Sequence, residues 1–174
     1  MRLVLNSFLS TLFTTITIIG GFNATAHAQS SRTDAINASQ ELFETALALA
    51  DEVRSTCGCP NTTATLEKIA DAATEVELEA RFGSRADATA KLKDVIRGVR
   101  NLRQYLPHIP NSSLRLRLKR EILIAVNSAG SAVMGGKWAM VYADRGAGSS
   151  EDSVLDTSLN GVEQNLSVDV DTDF

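Results

Sequence analysis

Aromatic side chains are scarce: Phe, Trp and Tyr supply 5% of the 174 residues. A core with so few rings must be assembled from Leu, Ile, Val and many alanines, which favours closely packed helices around a modest interior. Histidine is scarcer still, with only His27 and His108. Because His27 falls in a leader-like segment, one histidine is left for the folded part. No Ser–His–Asp triad or His-Glu-x-x-His zinc motif can be built from it. Other chemical signatures are missing too. No glycine loop follows a strand to cradle phosphate, no Cys-x-x-Cys-His marks a haem, and no repeat has a solenoid period. Paired acids are abundant, but their spacing is that of a solvated helix face. These absences point away from an enzyme and imply no cofactor.

The N-terminus reads as an export signal. Arg2 precedes an uncharged apolar stretch over residues 3–22, and Ala26-His27-Ala28 presents small residues where a signal peptidase cuts. The expectation is a cleaved signal over 1–28, a helical bundle domain over 29–145 and a disordered acidic tail over 146–174, located in the periplasm or secreted. No cysteine stands at the cut to carry a lipid. In a eukaryotic secretory route, Asn61, Asn111 and Asn165 would be glycosylation acceptors.

Charge is segregated along the chain. Residues 29–80 hold ten acids and three bases, 81–120 eleven bases and two acids, and 144–174 eight acids and one base. Such blocks imply interaction by charge and a partner that is a protein or an anionic envelope component. Nucleic acid is not expected, because the basic stretch lacks interleaved aromatics apart from Tyr105 and follows an export signal.

Hydrophobic periodicity predicts four helices. Over 33–55, Ile36, Leu42, Phe43, Ala46, Leu47, Ala50 and Val53 make an apolar face, which Cys57-Gly58-Cys59-Pro60 terminates. Over 61–82, Leu66, Ile69, Ala70, Ala73, Val76 and Ala80 point inward. A capping box at Ser84 and Asp87 opens a third helix that buries Leu92, Val95, Ile96, Val99 and Leu102 and stops before Pro107. A fourth apolar segment starts at Leu114 after capping candidates at 111–113. Its Ser-Leu-Arg-Leu-Arg-Leu-Lys opening alternates like a strand, yet the continuation favours helix, with a break near Gly135-Gly136. Short connections make this an all-α, antiparallel, up-and-down bundle of about four helices.

That topology brings three features to one pole. The loop holding Cys57 and Cys59 and the loop holding His108 share an end. Helix 3 runs a stripe of Lys93, Arg97, Arg100 and Arg103 toward it. Helix 4 begins there with Arg115, Arg117, Lys119 and Arg120, cations that oppose the local helix dipole and so suggest an anion-facing role. The expected binding residues are therefore Arg97, Arg100, Arg103, Arg115, Arg117, Lys119 and Arg120. The competing reading is a solvated face neutralised by acids of helices 1 and 2 or of the tail.

Two cysteines in one loop of an exported chain usually pair. A structural disulfide is the plain expectation. An intermolecular disulfide is one alternative, a redox pair is the sharper one, and Cys57, Cys59 and His108 as ligands for copper or zinc are a sparse last. Residues 122–143 carry Lys137 as their only charge and small residues at four-residue spacing, including Ser128, Ala132 and Gly136. They are long enough to span a bilayer, so membrane association is a further alternative to a tightly packed bundle helix. The closing Asp169, Asp171 and Asp173 resemble the start of a calcium loop but lack its glycine and its terminal glutamate.

Overall fold

The computed structural model describes residues 31–135. Helix α1 covers 31–56, α2 Pro60–Phe82, α3 Arg85–Tyr105 and α4 Ser112–Met134. A 3-10 turn at Leu106–His108 links α3 to α4. No strand occurs among the described residues, so the alternating start of α4 is helical. The expectations for 1–28 and 146–174 lie outside the described residues, as does that for Lys137.

Each boundary has a local cause. At the end of α1 the N–H groups of Cys57 and Gly58 both donate to Val53 O, at 3.0 and 3.2 Å. Gly58 takes φ 60°, a left-handed conformation that a β-carbon would strain. Pro60 then occupies the first turn of α2, where its missing N–H costs nothing. Ser84 caps α3 as the sequence predicts. The Asp87 N–H donates to Ser84 Oγ at 3.2 Å, and the Ser84 N–H donates to Asp87 Oδ2 at 3.3 Å. At α4 the Leu114 N–H donates to Asn111 Oδ1 at 3.0 Å. Gly135, at φ 61°, ends the helix.

Contacts between helices fix the up-and-down order. Gln40 reaches Glu77 while Arg54 reaches Glu67, so α1 and α2 run antiparallel. Lys91 pairs with Glu75 at 3.4 Å while Gly98 lies against Ile69, which sets α3 antiparallel to α2. Arg117 near the start of α4 pairs with Glu52 near the end of α1. The shared core includes Leu42, Leu49, Val53, Leu66, Ile69, Val76, Leu92, Val95, Leu118 and Ile122. Burying each such side chain contributes about 1.5–3 kcal/mol. Alanines 35, 38, 46, 50, 70, 73, 80, 88, 125 and 129 complete it.

The inward face of α1 is rotated from the expected one. Leu47 is 37% exposed, whereas Leu49 is 2% exposed and belongs to the core. Ile36 and Phe43 pack only at the core's margin. The buried stripe thus runs through Ala35, Ala38, Leu42, Ala46, Leu49 and Val53, at helical spacing rotated away from Leu47.

Of the stretch 122–143 offered as an alternative membrane span, α4 covers the part up to Met134, with Gly135 as its C-cap, and residues 136–143 lie outside the described residues. Among the described residues no helix is long and apolar enough to cross a membrane.

Candidate functional site

Antiparallel packing puts the α1–α2 loop and the α3–α4 connection at the same end of the bundle. The Glu52–Arg117 and Arg54–Glu67 pairs tie the end of α1 to the starts of α4 and α2 there. Cys57, Cys59 and His108 therefore occupy one pole, as the topology argument required. They do not converge on a metal. Among the described residues no three His, Cys, Asp or Glu side chains are grouped to hold one.

Cys57 and Cys59 lie at disulfide distance from each other, with Cα atoms 5.3 Å apart. Both are half-buried and pack against the edge of the core. Cys59 is the N-cap residue of α2, and its side chain makes no capping hydrogen bond. The Thr63 N–H and hydroxyl both donate to Cys59 O, at 3.0 and 3.1 Å, so the first turn of α2 holds this residue firmly. Cys57 Sγ lies 3.5 Å from Val53 O, at the carbonyl end of α1. As a mechanical staple the bridge does little. It joins residues separated by two positions, and closing so small a loop removes only about 1.6 kcal/mol of chain entropy, against about 3 for a fifteen-residue loop.

The basic residues fall into two groups. On α3, Lys93, Arg97, Arg100 and Arg103 are all exposed. At 1.5 Å rise per residue their row spans about 15 Å. Arg97 pairs with Asp94 on its own helix at 2.7 Å, an exposed contact of small value. This group forms an outward cationic stripe, as both the binding reading and the solvated-face reading expect.

The α4 group matches it only in part. Arg120 is exposed and Arg115 half-buried. Arg117, however, is engaged by Glu52 across the pole and lies 3.4 Å from Glu121 one turn along. Its charge is thereby offset by the acidic first helix, the competing reading at this position. Lys119 departs furthest, being only 8% exposed. It lines a shallow apolar cleft with Val99, Leu102, Leu106, Leu118, Ile122 and Leu123, a space no larger than a water. Its four-carbon stem packs there as hydrocarbon. The α4 sequence alternates Leu and Arg, so one turn of helix carries 115, 118 and 119 toward the core and 116, 117 and 120 away from it. A run of adjacent cations read along the sequence is split by the helix.

Asp87 is the acidic partner in the α3 capping box. Its carboxyl is held below its ordinary value of 3.8 by hydrogen bonds from the Ser84 hydroxyl and then the Ser84 backbone N–H. That is a capping device and not a catalytic one.

Fold and pole together define a class: a small antiparallel helical bundle with a cationic row on one helix and a cysteine-bearing loop at one end. Comparisons of the chain with protein-family models, with curated proteins and with solved structures find no match.

Proposed function

We propose that this chain is an exported, non-catalytic helical binding protein that engages an anionic partner through the cationic row of α3. The exposure of Lys93, Arg97, Arg100 and Arg103 along one side of a rigid helix carries this reading. Four cations over about 15 Å suit a surface with repeated negative groups better than a single small anion. Arg120 and Arg115 extend the positive surface at the start of α4. Arg117 and Lys119 contribute less, since one is offset by Glu52 and the other is buried. Export is supported by the uncharged stretch over 3–22 and the Ala-His-Ala that follows it.

The partner is an anionic envelope component or an acidic protein surface. The test uses the full chain without its leader, vesicles of an anionic phospholipid and, separately, a poly-glutamate peptide. The reading expects binding to one probe that weakens steeply between 50 and about 300 mM salt as charges are screened. Changing Lys93, Arg97, Arg100 and Arg103 together to Gln abolishes it. Binding that survives this change, or that ignores salt, overturns the reading.

A further inference from the structure

We propose that Cys57 and Cys59 form a thiol–disulfide exchange site, with Cys59 the sulfur that bonds to the client and Cys57 the one that resolves it. This is independent of the anionic-partner reading and rests on different residues.

Three observations converge on the pair. First, the bridge links no two elements that the chain does not already link, since α1 and α2 are joined by the same three residues. Its distinguishing property is therefore chemical. Second, the two sulfurs sit between helix ends of opposite polarity. Cys59 caps the N-terminus of α2, where no acidic residue occupies the first turn, so a negative sulfur there is favoured. Cys57 closes α1 with its sulfur 3.5 Å from Val53 O, an acceptor that suits an S–H and disfavours a thiolate. Arg54, one turn before Cys57, is tied to Asp51 and Glu67 and so does not cancel this asymmetry. Third, the site is reachable. A side chain built on Gly58 would meet nothing within 4 Å, and Gly58 and Pro60 are exposed.

In the reduced chain the Cys59 thiolate attacks one sulfur of a client disulfide. A Cys59–client bond forms, and the client's other sulfur leaves as thiolate. Cys57 then loses its proton and attacks Cys59 Sγ. The Cys57–Cys59 bond forms and the second client sulfur leaves. The client disulfide gains two electrons from the cysteine pair; one client thiolate takes the proton that Cys57 lost, and the other takes one from solvent, to which Cys59 had already released its own. The reverse sequence oxidises a client dithiol. Clients are peptides or proteins bearing disulfides or paired thiols.

The test uses the full chain without its leader and glutathione as probe. The chain is equilibrated at several ratios of reduced to oxidised glutathione, alkylated, and read by mass spectrometry. The expected result is a reversible passage between dithiol and disulfide within the range that millimolar glutathione spans. A pair that stays oxidised throughout is a staple, and one that stays reduced never closes; either overturns the proposal. On the reduced chain at pH 7, iodoacetamide should modify Cys59 about ten-fold faster than Cys57. Equal rates, or a faster Cys57, overturn the assignment of roles. Cys57→Ser treated with oxidised glutathione should retain glutathione on Cys59, whereas Cys59→Ser should retain far less on Cys57. The first two measurements use the natural chain, so they stand even if a variant fails to fold.

Discussion

Replacing Gly98 by Ala separates the packing of this bundle from the intrinsic preferences of its helices. Gly98 lies inside α3, where alanine is favoured over glycine by about 1 kcal/mol. On an open face the change would stabilise the protein. Here a β-carbon would lie 2.7 Å from Ile69 Cγ1, and Ile69 is fully buried on α2. The two helices must separate or Ile69 must leave its rotamer, at a cost of about 1–3 kcal/mol. The sum is a net loss of about 1 kcal/mol, seen as a fall in melting temperature of about 5 °C by circular dichroism. Ile69→Ala removes the obstructing atom, itself costing about 2–5 kcal/mol. In that background Gly98→Ala should become stabilising by about 1 kcal/mol, because only its helical preference and some filled space remain. The sign of one substitution thus depends on the presence of another. If Gly98→Ala stabilises the unaltered protein, α2 and α3 do not meet at Gly98 and Ile69.

Ser84→Ala should destabilise by about 1 kcal/mol through loss of the α3 cap, measured by urea unfolding. Because Asp87 is held below 3.8, its contribution is present above that value and disappears as pH falls through the folded-state value. The stability difference between the natural chain and Asp87→Asn should therefore shrink steadily below pH 3.8 and be constant above pH 5. Replacing Cys57 and Cys59 together by Ser should lower the melting temperature by no more than about 8 °C, since the loop they close is so short. A larger loss would give the bridge a structural weight that its position does not explain. Lys119→Gln should change anion binding less than Arg120→Gln does, because only the latter side chain faces solvent.

Most of the architecture was legible because helix boundaries here are set by local chemistry. The Ser84–Asp87 box, Pro60, Gly58 and Gly135 act on their own neighbours, and the inward residues of α2 and α3 follow a clean helical period. The α1 face was harder to read. Leu47 and Leu49 differ by 200° around a helix, and which of them is buried depends on where α2 and α4 sit, which the period alone does not state. The same limit governs the cations. Along α3, spacings of four, three and three keep the row on one side, so its exposure could be read directly. At the start of α4, cations at 115, 117, 119 and 120 look alike in sequence. Their separation into half-buried, offset, buried and exposed positions arises from the docking of α4 on α3 and from Glu52 on a distant helix. The shared pole of Cys57 and His108 followed from topology. The opposing helix ends at Cys57 and Cys59 became evident only once Cys59 was seen to be the cap of α2.

The cationic row of α3 is the centre of the functional account, and residue-resolved NMR tests it most directly. The isotopically labelled chain is titrated with the anionic probe at low salt while backbone and arginine side-chain signals are followed. The account predicts shifts concentrated at Lys93, Arg97, Arg100 and Arg103, weaker ones at Arg115 and Arg120, and their reversal on adding salt. Shifts confined to the exposed apolar side chains Leu78, Phe82, Leu116 and Ile124, with α3 silent and salt without effect, would contradict it.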